Sequence, residues 1–161
     1  MNLEILHRSR KRVVPGDVFV FRPKGRDYYF GCVVMVGTKV ISLPDNKLIY
    51  LYDIHAPGKL PVPDLDPKRL LVPPIVINNL PWSRGYFEVV EHRALSDIAL
   101  LKTHCLRRSN GRYFNELGEE LPHRIEPCGD FALDSFRTID CSVSEALGIP
   151  WKPDEDAPTR L

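Results

Sequence analysis

Two apolar runs lie close together near the start of the chain, at residues 18–21 and 28–36, and both are rich in Val, Phe and Tyr. Between them Arg22-Pro23-Lys24-Gly25-Arg26-Asp27 forms a polar break carrying both Pro and Gly. β-branched and aromatic residues fit a pleated surface and Pro/Gly clusters end strands, so this pattern predicts a β-hairpin with a longer loop. Pro15-Gly16-Asp17 supplies the tight turn that starts its first strand. Residues 48–54 predict a third strand in which Tyr50 and Tyr52 share one face while Ile49 and Leu51 point to the other. Both Tyr are expected in the core with their hydroxyls reaching solvent; an exposed pair would be a recognition surface.

Downstream, Pro44-Asp45-Asn46 marks a turn, and residues 56–74 contain six Pro, which predicts an extended connection because each X-Pro step pushes its neighbour away from helix. Residues 75–77 predict a short strand ended by Asn78-Asn79, and residues 86–91 another. Trp82 and Arg84 fall in a turn before the latter and are residue types that anchor binding surfaces. The alternative is that Trp82 caps the fold with Arg84 covering its ring. Residues 95–106 fit one helical face at Leu95, Ile98, Leu101 and Cys105, but read better as a short connection into a strand. Arg107-Arg108-Ser109-Asn110-Gly111-Arg112 is a turn, residues 113–121 a strand, turn and short strand, and residues 131–139 a further strand. Ser142 followed by Glu145 fits a helix capping box over 142–147, with Gly148 as its stop. The pattern as a whole predicts a mainly-β fold: a strongly curved antiparallel sheet or SH3-like barrel with one or two short helices. It is expected as a single domain over residues 13–150, preceded by a basic N-terminal arm at 1–12 and followed by a tail at 151–161.

At 161 residues with 43% apolar and 27% charged side chains, the chain has the balance of a globular protein able to bury a core without staples. Fifteen Pro, about twice the usual share, disfavour long helices. A formal net charge of +1 exerts no global pull toward nucleic acid or anionic membrane. No apolar run approaches the roughly 20 residues of a bilayer span, and the first residues lack a secretory pattern. Four widely spaced Cys without an export signal are read as reduced thiols, and the expected location is cytoplasmic. The cluster His7, Arg8, Arg10, Lys11 and Arg12 is either a contact for nucleic acid or an acidic partner, or a solvated arm leading into the first strand.

Catalytic chemistry is not legible. The five His are isolated, with no His-x-His, HExxH or CxxC spacing, so no metal ligands are assigned. No G-x-S-x-G elbow and no phosphate-cradling glycine loop is present. A Cys–His pair drawn from Cys105 or Cys128 with His92 or His123 stays open, because such partners meet in space and not in sequence. Basic residues interleave with aromatics at Lys24, Arg26, Tyr28 and Tyr29 and at Arg107, Arg108, Arg112 and Tyr113, a weak nucleic-acid pattern against a near-neutral total. No catalytic residue and no cofactor is assigned.

Several segments taken in order resemble the immunity protein 26 family of bacterial polymorphic-toxin systems. They are Pro15-Gly16-Asp17-Val18-Phe19, Tyr29-Phe30-Gly31-Cys32-Val33-Val34, Leu48-Ile49-Tyr50-Leu51-Tyr52-Asp53 and Pro73-Pro74-Ile75. The series continues with Trp82-Ser83-Arg84-Gly85-Tyr86-Phe87, Tyr113-Phe114-Asn115-Glu116-Leu117-Gly118-Glu119 and Pro127-Cys128-Gly129-Asp130-Phe131-Ala132-Leu133. The resemblance covers most of residues 13–149. It implies a mainly-β protein that binds and neutralises a cognate protein toxin inside the producing cell, by occluding the toxin's active surface. The expected partner contacts are Tyr28, Trp82, Arg84 and Tyr86 as anchors and Arg26 as a rim charge acting mainly on association rate. Two rival readings are a small hydrolase of phosphotriesters, since related sequences carry that label although the His-x-His signature is missing here, and a nucleic-acid-binding SH3-like barrel.

Overall fold

The computed structural model describes residues 1–153. Of the tail expected at 151–161, residues 154–161 lie outside the described residues. The expected hairpin is β1 (Asp17–Phe21) and β2 (Tyr28–Val36), paired antiparallel with Val18 opposite Cys32 and Phe21 opposite Tyr29. With β3 (Lys47–Ala56), β4 (Ile75–Ile77) and β5 (Glu88–His92) it forms a five-stranded antiparallel sheet in the order β4-β3-β2-β1-β5.

The side-chain alternation of these strands sorts cleanly between two cores, because successive residues of a strand point to opposite faces. Phe19, Phe21, Tyr29, Val33, Ile49 and Leu51 share one face with Ile139 and Val143. Val18, Val20, Phe30, Cys32, Tyr50 and Tyr52 share the other with Ile98 and Leu106. Both faces are covered, which is why β1 is buried at every position and reads as an unbroken apolar run from Val18 to Phe21. Gly31 makes the central packing possible: a Cβ there would stand 2.4 Å from the Phe19 ring and 2.8 Å from the Tyr50 carbonyl oxygen.

The second face is closed by a four-stranded sheet in the order β8-β7-β6-β9, built from β6 (Cys105–Arg107), β7 (Tyr113–Phe114), β8 (Glu120–Leu121) and β9 (Cys128–Asp130). β6 and β9 run parallel and the other pairs antiparallel. The fold is therefore mainly β, as expected, but as two open sheets and not a closed barrel.

Three local expectations are corrected. Residues 131–139 are not a strand, since helix α2 (Phe136–Ala146) begins there, capped at Ser135 by a reciprocal pair with Thr138 and not at Ser142. Its residues Ile139 and Val143, four apart, put one apolar stripe on the sheet. Trp82 lies in a one-turn helix α1 (Leu80–Ser83) entered through Pro81, not in an open turn. The Tyr50 and Tyr52 hydroxyls do not reach solvent: both residues are fully buried. Residues 95–106 hold a single 3-10 turn, Leu95–Asp97, before β6.

Candidate functional site

Residues 2–9 form a strip that ties together the hairpin loop and the turn between α1 and β5. Leu3 bridges Pro23, the Glu4 N–H donates to the Arg22 carbonyl at 2.8 Å, and the Lys24 N–H donates to the Asn2 carbonyl at 2.8 Å. Three residues further on, the Leu6 N–H donates to the Gly85 carbonyl at 2.7 Å and the Ser9 N–H to the Trp82 carbonyl at 3.0 Å. The three-residue step from Leu3 to Leu6 thus holds the two contacts within about 10 Å of each other along the strip. Gly85, at φ +90°, makes the seat: a Cβ would lie 3.0 Å from both Arg8 Cγ and Ile5 Cγ2. At its other end the strip is fixed to α2, where the buried Asp140 carboxylate accepts the Asn2 and Leu3 amides and Asn2 Nδ2 donates to Ser144 Oγ at 2.9 Å.

In the hairpin loop Arg26 is exposed, and Tyr28, at the start of β2, is half-buried. The Tyr28 ring lies 4.6 Å from the Arg22 guanidinium carbon and 5.7 Å from Lys59 Nζ, cations that Glu4 and Glu88 pair at 3.7 and 2.7 Å. This network holds the tyrosine in one orientation. Arg84 is exposed, and its guanidinium covers the Phe136 ring at 5.9 Å, not that of Trp82.

Trp82 and Tyr86 are core residues, 2% and 8% exposed. Trp82 packs edge-on against Phe19 and Phe87, each at 5.3 Å, and Tyr86 stacks on Phe136 at 5.5 Å. Neither offers a surface ring to a partner, so the aromatic anchors expected in this turn support it from beneath. Arg26 and Tyr28 lie at the hairpin loop, with Tyr28 packed on the Val18–Phe30 face of the sheet, whereas Arg84 lies over Phe136 on the Phe19 face, and Trp82 and Tyr86 are buried beneath its turn.

A second polar constellation, absent from the sequence reading, joins the two sheets. The buried Tyr50 hydroxyl lies 2.5 Å from His104 Nε2 and accepts the Leu101 N–H at 3.1 Å, while His104 Nδ1 lies 3.1 Å from Glu116 Oε2. His104 holds the Glu116 carboxyl below its ordinary value. A hydroxyl, an imidazole and a carboxylate in a row can relay a proton, but Tyr50 is fully buried and His104 only 7% exposed, so they act as a joint between sheets. The period of two put Tyr50 facing inward; no local signal pointed to His104, 54 residues away.

The four cysteines are free. Cys105 and Cys128 face each other across β6 and β9 with their sulfurs 3.2 Å apart, and burial pushes the Cys32 and Cys128 thiols up to about 12. Of the pairs left open above, neither Cys105 nor Cys128 has a hydrogen bond to His92 or His123; His92 instead pairs with Asp17 at 2.8 Å. Among the described residues no three His, Cys, Asp or Glu side chains are grouped to hold a metal ion. No helix is long and apolar enough to cross a membrane among them.

Neither a curated protein nor a solved structure matches the chain. A family model described as Immunity protein 26 matches residues 14–103, more than half of the chain. The match runs from the turn before β1 to the residue before His104. It takes in the whole five-stranded sheet, the hairpin loop and the α1–β5 turn, and leaves the second sheet and α2 outside. The chain belongs to the immunity protein 26 family.

Proposed function

We propose that this immunity-family protein binds a cognate bacterial toxin in the cytoplasm of the cell that makes it and neutralises the toxin by covering its active surface. The observation that supports this reading is the family match, together with the strip at residues 2–9 that ties the Arg26–Tyr28 loop and the Arg84 turn to one backbone segment. Loops tied in this way keep their shape on docking, so little ordering entropy opposes association. Tyr28, clamped by two cations, is the anchor, and Arg84 is the second contact. Arg26, fully at the rim, acts mainly on the rate of encounter. Trp82 and Tyr86 contribute by holding the turn that carries Arg84.

The test is co-expression with the toxin encoded in the adjoining gene, with bacterial growth as the readout. The wild-type protein restores growth, and Arg26→Glu with Tyr28→Ala weakens binding at least tenfold at unchanged melting temperature. A wild-type chain that restores no growth, or a double variant that binds as tightly as wild type, sinks the reading.

A further inference from the structure

The basic cluster near the N-terminus is not absorbed by the contacts above. Arg8 and Arg10, on the strip, meet Ser83 and Arg84, on the α1–β5 turn, in a cleft of about 530 Å³ whose lining is these four residues and Ser9. All three arginines are exposed, and none forms an ion pair with a described acidic side chain. Arg12, Arg22 and Arg93, by contrast, each have a carboxylate within 4 Å.

The cleft is also held in shape. The backbone of Leu6, His7 and Ser9 is hydrogen-bonded to the carbonyls of Gly85 and Trp82, the Arg8 stem rests on Gly85, and the Arg84 guanidinium is stacked over Phe136. Guanidinium forks match the two oxygens of a carboxylate or a phosphate, and here the backbone that carries Arg8 and the guanidinium of Arg84 are held in place.

The geometry points to this cleft as the receptor for a carboxylate-bearing protruding segment of the toxin, an inference that rests on reading the protein as a toxin binder. A nucleic-acid backbone carries the same charge but needs a continuous basic track. The neighbouring cleft, which shares Ser9, carries Asp17, Glu88 and Glu91 beside Lys11 and Arg12, so the positive potential ends within one cleft. A local cluster of Asp or Glu side chains on a folded partner fits that footprint; a phosphate chain does not.

The test titrates the isotopically labelled full chain, at 50 mM salt, with a hexaglutamate peptide and with a ten-nucleotide RNA. Hexaglutamate is expected to shift the amide signals of residues 8–10 and 83–85, and Arg8→Ala with Arg10→Ala to weaken its binding at least tenfold while the rest of the spectrum is kept. No binding, shifts elsewhere, an unaffected double variant, or tighter binding of RNA than of hexaglutamate would overturn the inference. So would a rise of more than threefold in hexaglutamate affinity in the full chain carrying Asp154→Asn, Glu155→Gln and Asp156→Asn, which would give the cleft to the chain's own acidic residues. Growth rescue by the wild-type chain is read separately. Rescue without hexaglutamate binding removes only this inference, and hexaglutamate binding without rescue removes only the toxin reading.

Discussion

The Asp140 carboxylate, buried in α2, accepts the backbone N–H of Leu3 at 2.8 Å, and the same oxygen accepts the N–H of Asn2 at 2.9 Å. This contact, across almost the whole length of the chain, holds the strip that ties together the hairpin loop and the α1–β5 turn. Asp140→Ala leaves two buried amides without acceptors, at about 1–3 kcal/mol each. Urea denaturation is expected to show a loss of about 3 kcal/mol, and hydrogen exchange a faster release of the amides of residues 2–6. A loss below about 0.5 kcal/mol, within the range of an ordinary surface substitution, would show that the strip is held by other contacts.

Trp82 is a core residue whose surface role is indirect. Its ring packs edge-on against the stacked Phe19–Phe87 pair, so Trp82→Ala is expected to cost about 3–5 kcal/mol of stability. Thermal unfolding measures this directly. A variant that melts like the wild type yet loses toxin binding would return Trp82 to the surface.

The joint between the sheets makes stability depend on acid. His104, whose Nδ1 lies 3.1 Å from Glu116 Oε2, lowers the Glu116 carboxyl from its ordinary value of 4.5. A carboxyl lowered by folding contributes stability that is fully present above 4.5 and is lost as pH falls through its folded value. Stability measured between pH 6 and pH 3 should therefore fall more steeply for the wild type than for Glu116→Gln. Parallel profiles would mean that the pair does not couple to folding.

Thiol reactivity should separate the cysteines by burial. Cys141 is exposed on α2, while Cys32, Cys105 and Cys128 are buried, and burial pushes the Cys32 and Cys128 thiols up to about 12. Thiolate is the reactive form, so a chromogenic disulfide at pH 8 is expected to titrate one thiol rapidly in the native protein and all four in denaturant. Rapid reaction of more than one thiol would show that the β6–β9 region opens in solution.

Which of the expected contact residues lie at the surface was half legible in the sequence. Arg26, Tyr28 and Arg84 could be picked out because charged and aromatic residues in Pro/Gly-containing loops stand out locally. The same rule picked Trp82 and Tyr86, and there it misled: an aromatic next to a turn reads alike whether it faces solvent or, as here, packs on Phe19 or Phe136. The start of α2 was missed for a related reason. Its cap uses Thr138 in place of the acidic residue of the usual box, and the stretch before it alternates as a strand would.

The sequence by itself determined the strands of the main sheet, the faces their side chains take and the mainly-β class. These follow from a period-two pattern that each strand carries within a few residues. Only the tertiary structure decided that the two sheets stay open, that Tyr50 meets His104, and that the basic N-terminal segment lies along the α1–β5 turn to complete an arginine-lined cleft. The last two depend on hydrogen bonds between residues more than 50 positions apart, and no local periodicity records which distant partner a polar group will find.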